Sequence, residues 1–250
     1  MPPVVVLVVV ALGWQLYVQL SHSDPTTLPG PWRVVDQGWA HRGELWSNAV
    51  PTLQETLIGF GLAVVAAWLI ASAMDFSSTI RRGLYPLLIA SQTVPIVTIA
   101  PLFLIWFGVG LLPKVLLVAL ATFFPVAVNL SEGFASTDDD AMRLLRSMGA
   151  SRGSSFVKVR IPTAMPYFFA GLRVGITYAV LAAVYAEDAG AFDGLGVYIR
   201  QSSSSFRTDL VLAAIGVVAV VSLGLFALTY AVQRLVLPWQ RATSSKREWE

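Results

Sequence analysis

Long apolar runs constrain the fold of this chain more than any other feature of its sequence. Six segments approach or exceed the roughly 20 residues that a helix needs to cross a bilayer. They lie at residues 4–20, 50–74, 84–107, 111–130, 167–186 and 210–237. Only 13% of the residues are charged, about half the share that is usual in a soluble domain. The sequence therefore predicts an all-α integral membrane protein with about six transmembrane helices.

The first apolar segment lacks the basic region and the small-residue cleavage site of a signal peptide, so we interpret it as a membrane helix. The second opens with Thr52-x-x-Glu55, a capping-box pattern. The longest polar loops hold about 30 residues, and we expect one transmembrane domain over residues 1–250. The chain has no cysteine and two histidines, His22 and His41, which we interpret as solvated loop residues and not as a metal site.

The distribution of basic residues predicts the orientation, because cytoplasmic loops of membrane proteins are enriched in Lys and Arg. Successive loops of such a protein lie on opposite sides of the membrane. On this basis eleven of the 17 basic residues lie on the same side as residues 136–165 and the C-terminus, and five lie on the other side. Both chain ends and the 136–165 loop are therefore expected in the cytoplasm, with external loops at about 21–49 and 188–209. The net charge of +2 is small and dispersed, which argues against nucleic acid binding.

Three prolines interrupt the third apolar segment, among them Pro95. Each removes a backbone donor, and in a bilayer the freed carbonyls must find partners in side chains, neighbouring helices or water. We expect a broken helix inside the bundle or beside a cavity. Gln92, Thr93 and Thr98 accompany the prolines and either repair the helix backbone, which we favour, or contact substrate.

A charged stretch, STDDDAMRLLRSMGASRGSSFVKVRIPTAMP at residues 136–166, separates the fourth and fifth apolar segments. It cannot lie in the bilayer core, where each central Asp, Lys or Arg costs about 2.5–3.5 kcal/mol. Thr137 can cap a helix, with Asp140 as its capping-box partner. Gly149 suits the left-handed position that follows a helix end. The stretch therefore predicts a short, well-delimited helix outside the membrane.

Within that helix Ala141, Leu144, Leu145 and Met148 follow an i, i+3, i+4, i+7 pattern and predict one apolar stripe. So short a helix is not stable alone and needs a surface to dock on. That surface is either the protein's own membrane bundle or a cytoplasmic partner, and the residues leave both open. A second short helix, capped by Ser151, is expected to follow.

The same stretch resembles the cytoplasmic EAA signature of bacterial ABC-importer permeases. The resemblance rests on Asp140-Ala141, Gly149 and Ile161-Pro162. The signature usually has glutamate where this chain has an aspartate, and its second alanine is replaced or displaced.

The fifth apolar segment opens with Gly171-x-x-x-Gly175, a spacing of small residues that suits close helix packing.

The likeness extends over nearly the whole chain. LRSMGASRGSSFVKVRIPTAMPYFFAGLRVGI, residues 145–176, is similar to the nitrate, taurine and sulfonate branch of these permeases, which also includes permeases for thiamine-precursor pyrimidines and riboflavin. Three further blocks resemble the same branch: LPGPWRVV at 28–35, TLQETLIGFGLA at 52–63 and the long block at 91–134. The resemblance implies a type I ABC-importer permease fold with a cytoplasmic coupling helix.

The resemblance also implies a mechanism and a set of partners in a bacterial inner membrane. Two permease subunits, most simply a homodimer embedded in lipid, would form the pore. Two cytoplasmic ATPase subunits would bind beneath them, and an external binding protein would deliver the substrate. The chain has no Gly-x-x-x-x-Gly-Lys-[Ser/Thr] phosphate loop, so ATP and magnesium are expected on the ATPase and no cofactor on this non-catalytic subunit.

The resemblance assigns residues to an ATPase-coupling site, and residues beside the prolines of the third segment and in or after the fifth segment give a candidate substrate pathway. The coupling helix would use its apolar stripe for buried contact with the ATPase and its arginines for register. The residues expected there are Asp140, Ala141, Arg143, Leu144, Leu145, Met148, Gly149, Ile161 and Pro162. The residues expected along the substrate pathway are Gln92, Thr93, Pro95, Thr98, Tyr178 and Glu187.

Glu187 lies near the external end of the fifth segment, where it has two interpretations. A membrane-boundary acid is a candidate for gating or for contact with a binding protein, but a solvated helix end explains it almost as well. An ion-coupled secondary transporter, the alternative class, would carry acids or lysines deep in its membrane helices, and the deep membrane regions of this sequence contain almost none. The third class weighed is a membrane scaffold or sensor. Among possible cargoes a thiamine-precursor pyrimidine fits best, with riboflavin, taurine, sulfonates and nitrate as alternatives.

Overall fold

The computed structural model describes residues 3–21 and 23–238, which form helices joined by short connections. The elements are α1 Pro3–Ser21, α2 Pro31–Ala40, α3 Arg42–Phe76, α4 Ser78–Ser91, α5 Ile96–Phe107, α6 Leu111–Ala135, α7 Asp139–Ser147, α8 Arg152–Ser155, a π-helical turn Phe156–Arg160, α9 Ile161–Gly190, α10 Leu195–Ser204 and α11 Thr208–Val236. His22 lies outside the described residues, as do Arg241, Lys246 and Arg247, three of the eleven basic residues on the predicted cytoplasmic side.

The all-helical prediction is confirmed, and the helix lengths refine the six predicted spans. Four helices of the described part are long and apolar enough to cross a membrane: α3, α6, the continuous helix Arg152–Gly190 and α11. The apolar helix of α1 is shorter. The third predicted span is divided between α4 and α5, with Pro95 capping α5, so the expected break in this segment is confirmed.

Helix α6 lies between α3 and α9 at the centre of the bundle. Small residues let these helices approach closely. A Cβ atom at Gly171 would lie 2.9 Å from the Cβ of Asn129, and one at Gly175 would lie 3.0 Å from Cγ2 of Thr122. The two glycines thus form the close helix contact that their spacing predicted.

Aromatic packing fixes one half of this three-helix core. The ring of Trp68 on α3 stands edge-on to Phe134 of α6 and Phe168 of α9, with centroid distances of 6.0 and 5.3 Å. By contrast, α11 leaves most of its apolar surface exposed. Such a surface is expected of a helix that faces lipid or another subunit.

The two ends of the bundle differ in what they carry. Helix α7 lies beside Asp75 and Phe76, where α3 ends, and we call this the α7 end. Helices α2 and α10 lie at the opposite α2 end, so the segments expected as external loops at 21–49 and 188–209 are largely helical. There Asp209 accepts hydrogen bonds from Nε of Arg33 at 3.2 Å and Nε of Arg207 at 3.1 Å, which fastens α2 to the start of α11.

Candidate functional site

Helix α7 begins with an aspartate cap. The Oδ1 atom of Asp138 accepts the backbone N–H of Asp140 at 2.8 Å. The predicted cap at Thr137 is wrong, because Asp138 occupies the N-cap position of α7. Asp140 is not a capping-box partner; its carboxylate lies 3.5 Å from Nη1 of Arg143.

The other end of α7 has the predicted geometry. Gly149 adopts a φ of +82°. Its N–H donates to the carbonyl of Arg146 at 2.9 Å, and the N–H of Ala150 donates to that of Leu145 at 3.0 Å. This pair of bonds is a Schellman motif, which requires a left-handed residue. The next helix, α8, begins as expected, since Oγ of Ser151 accepts the N–H of Ser154.

The predicted apolar stripe of α7 is divided between two environments. Met142 is buried against the bundle, and Ala141 and Leu145 are half-buried. Leu144 and Met148, however, are 63% and 75% exposed. The bundle covers the helix face centred on Met142, so only part of the predicted stripe packs against the protein's own helices. What remains is an exposed apolar pair, Leu144 and Met148, at the α7 end.

A continuous helix joins α7 to the membrane core. Residues from Arg152 to Gly190 remain helical through the π-helical turn. Ile161 and Pro162 are half-buried in the first turn of α9, directly after that turn. Proline cannot donate to an i−4 carbonyl, and the wider π-helical turn accommodates this loss. Arg160 in the same turn pairs with Asp75 of α3, so a displacement of α7 would act on a rigid element.

A cavity of about 290 Å³ lies where the break between α4 and α5 meets the middle of α6 and α9. Three of the predicted pathway residues line it: Gln92, Pro95 and Tyr178. Thr93 and Thr98 do not line it. Their hydroxyls donate to the carbonyls of Ala90 and Pro95, each at 2.7 Å, which is the backbone repair that the sequence favoured.

Glu187, the remaining pathway candidate, lies away from this cavity and is fully buried near the α2 end. Its Oε1 accepts the hydroxyl of Thr52 at 2.6 Å, and its Oε2 accepts the N–H of Gly196 at 2.7 Å. The interpretation as a solvated helix end is therefore wrong. Sequence alone could not show this, because the partners come from residues far from Glu187 on α3 and from the start of α10.

A second buried acid lies beside Glu187. Glu55 of α3 pairs with Nζ of Lys114 at the start of α6, and the side chains are 2% and 8% exposed. Lys114 also approaches the carboxylate of Asp193 at 3.7 Å. The capping-box interpretation of Glu55 is wrong, since α3 begins at Arg42. We call Glu55, Lys114, Glu187 and Thr52 the buried charge cluster; it connects α3, α6 and α9 with α10.

Helix α10 closes over the cluster. The N–H of Leu195 donates to Oγ1 of Thr52 at 3.0 Å, and the N–H of Gly194 donates to Oδ1 of Asn48 at 3.1 Å. Further along α10, burial together with the carboxylate of Glu44 raises the pKa of Tyr198 to about 12. The Tyr198 hydroxyl is therefore neutral and donates to Glu44 at 3.4 Å, which adds a second attachment to α3.

Comparisons with known proteins agree with this architecture. The family described as "Binding-protein-dependent transport system inner membrane component" matches residues 59–241. A formylaminopyrimidine transport permease protein of Halalkalibacterium halodurans is 31% identical, over 96% of each chain. A riboflavin transport system permease protein of Chloroflexus aurantiacus is 33% identical over 94% of this chain and 89% of its own. A taurine transport system permease protein of Escherichia coli is 32% identical over 93% and 87%.

Solved structures resemble the fold as well. An inward-facing conformation of the MetNI methionine ABC transporter superposes with a TM-score of 0.66 at 15% identity, covering 79% of this chain and 96% of the other. An amino acid ABC transporter superposes with a TM-score of 0.61 at 18% identity, covering 78% and 95%. These structures are type I ABC-importer permeases, and the fold of the present chain is theirs.

Proposed function

This chain belongs to the family of inner membrane components of binding-protein-dependent transport systems, as a permease subunit of an ABC importer, and we propose that its cargo is a thiamine-precursor pyrimidine. The observation that carries this choice is the likeness to the formylaminopyrimidine permease over 96% of both chains. Riboflavin is the second candidate, supported by a 33% identical relative. A cargo of either kind presents a flat heteroaromatic ring with hydrogen-bonding edges.

The cavity at the α4–α5 break suits such a ring. Its volume is about 290 Å³, and its lining is mainly apolar with a few polar groups, as is usual for small-molecule sites. The amide of Gln92 can both donate and accept hydrogen bonds, and the ring of Tyr178 offers a stacking face. Cargo would pass this cavity on its way between the two permease subunits, which we propose are identical.

Transport would be driven by two cytoplasmic ATPase subunits that dock at the α7 end, beneath the inner membrane. The exposed Leu144 and Met148 provide apolar contact, and Arg143 and Arg146 fix the register of the helix in its groove. ATP and magnesium would be held by the ATPase alone. Closure of the ATPase pair would then move α7 and, through the continuous helix, the membrane core.

The same proposal orients the chain in the membrane. The α7 end and both chain ends would face the cytoplasm, which the excess of basic residues on that side supports. The α2 end, with the buried charge cluster, faces the external binding protein. Glu187 then acts from inside the bundle, by holding α10 in place beneath the docking surface.

The experiment is uptake into proteoliposomes that contain this permease, its ATPase and its binding protein. We expect ATP-dependent uptake of radiolabelled formylaminopyrimidine, with riboflavin and taurine as matched competitors that leave the rate unchanged. ATP-dependent uptake of radiolabelled riboflavin, with no uptake of the pyrimidine, would replace the first candidate by the second. Absence of ATP-dependent uptake of all three compounds would refute the cargo assignment, and crosslinking that yields only a heterologous permease partner would refute the homodimer.

A further inference from the structure

A second cavity, of about 510 Å³, lies at the α2 end on the outside of the bundle. It is a groove between α2 with the first turns of α3 on one side and α11 on the other, and its lining is almost wholly apolar. We call it the α2–α11 groove. It is separate from the cavity at the α4–α5 break and from the buried charge cluster, so the transport mechanism leaves it without a role.

Small residues create the groove. A Cβ atom at Gly38 would lie 3.2 Å from the Cβ of Ala213, so α2 and α11 are nearly in contact there. One turn further along α11, Gly216 has open space where its side chain would be. Ala49 on α3 lines the same space. The two helices diverge from a close contact, and the absence of side chains leaves a channel between them.

The groove is preformed, because α2 is held in place by charged groups on its other side. The guanidinium of Arg207 donates to Asp209 through Nε and to Oε1 of Gln37 through Nη2, the latter at 3.0 Å. Arg33 of α2 donates to the same aspartate. Asp209 is almost fully buried. A bound molecule would therefore contact a helix that is already fixed in position.

The position of the groove along the membrane is marked by tryptophans. Trp39 and Trp46 line it and are largely exposed, and exposed tryptophans concentrate at the level of lipid headgroups. On the other side, the groove continues into the exposed apolar surface of α11, where Val220 is 70% exposed. The groove thus runs from the headgroup level into the level of the acyl chains.

The side chain of Arg42 places a positive charge at the headgroup end of the groove. Arg42 lines it, and its guanidinium lies over the ring of Trp39 at 5.1 Å from the centroid. One of its N–H groups donates to the carbonyl of Trp39, and among residues 3–21 and 23–238 it forms no ion pair with a carboxylate. Arginine binds phosphate oxygens in a fork geometry, so its remaining donors suit a phosphodiester.

We propose that the α2–α11 groove binds a membrane phospholipid, with the phosphate on Arg42 and an acyl chain along Gly216 and Val220. The apolar lining, the cation at one end and the tryptophans at the headgroup level agree on this occupant. A second copy of the chain is the alternative occupant, and the test below distinguishes it from a lipid. The lipid would hold α2 and α11 together at the end of the bundle where α10 closes the buried charge cluster.

Native mass spectrometry of the full-length protein, released from nanodiscs of phosphatidylglycerol and phosphatidylethanolamine, tests this proposal. We expect retained phospholipid on the unmodified chain, and about tenfold weaker retention for Arg42→Ala, which removes the charged hydrogen bonds. Gly216→Leu should displace the acyl chain and lower retention similarly. Gly216 has open space around it, so the variant should fold.

Two matched variants control for general effects. Arg81→Ala removes another arginine that lies over an aromatic ring, that of Tyr85 at 5.8 Å, and Gly224→Leu adds the same side chain to α11 at another open position. Both should retain lipid normally. Equal retention by all four variants would overturn the proposal. So would a Gly216→Leu variant that retains lipid but loses dimerisation in size-exclusion chromatography, because the groove would then be covered by a second copy.

Discussion

An acid–base pair at each end of the bundle shows how differently charge is used, since one pair is exposed and the other is buried. At the α7 end, Asp140 and Arg143 form a pair at 3.5 Å whose side chains are 87% and 77% exposed. At the α2 end, Glu55 and Lys114 are almost fully buried and connect two membrane helices. An exposed pair adds little stability, whereas a buried charge must keep its partner. The α7 end therefore has surface left for a partner, and the α2 end is held by its own contacts.

The apolar residues follow the same division. Met142 attaches α7 to the bundle, and Leu144 and Met148 on the same helix stay exposed. At the α2 end the polar groups of Thr52 and Glu187 bond to each other and to backbone N–H groups of α10. Substitutions at the α7 end should therefore impair coupling without unfolding the chain, and substitutions in the buried charge cluster should first lower stability.

The largest effect at the α7 end is expected from Gly149→Pro. Proline fixes φ near −65°, whereas position 149 has a φ of +82° and donates its N–H to Arg146. We expect ATP-driven uptake to be abolished with normal membrane insertion, measured in proteoliposomes. Gly149→Asn, which tolerates the left-handed conformation, should keep most of the activity. Normal uptake by the proline variant would show that the turn has no role in coupling.

At the α2 end, Lys114→Met should lower the stability of the folded chain by about 3–5 kcal/mol, because it leaves Glu55 buried without its cation. The measurement is thermal unfolding of purified protein in detergent. The double variant Lys114→Met with Glu55→Gln removes both charges and should recover much of the loss. If the single and the double variant unfold at the same lowered temperature, the ion pair is not what holds this end together.

A smaller effect is expected between the ends, in the cavity at the α4–α5 break. Gln92→Ala removes a hydrogen-bonding group from the lining and should raise the KM for uptake about three- to tenfold. Thr93→Val is the matched control, because the hydroxyl of Thr93 bonds to its own helix and should leave KM within about twofold. A larger change for Thr93 than for Gln92 would place the cargo elsewhere.

Much of this architecture could be predicted from the sequence because it depends on local rules. Apolar length predicted the helices, Pro95 the break in the third segment, and Gly149 the left-handed turn. The errors concern contacts between distant residues. Glu187 is buried because α10 folds back onto α3, and no pattern around Glu187 indicates that return. The stripe on α7 is divided because the bundle covers one part of it, which helical periodicity cannot show.

The substitution Leu144→Asp, measured by the affinity of the purified ATPase for the permease in nanodiscs, tests the central claim that α7 is the coupling helix. Leu144 is exposed, so the variant should insert and unfold as the unmodified chain does. We expect affinity to fall about tenfold or more, since an apolar contact of this size contributes about 1.5–3 kcal/mol. Val109→Asp, which places the same charge on an exposed residue between α5 and α6, should leave affinity unchanged. Unchanged affinity and uptake for Leu144→Asp would contradict the account.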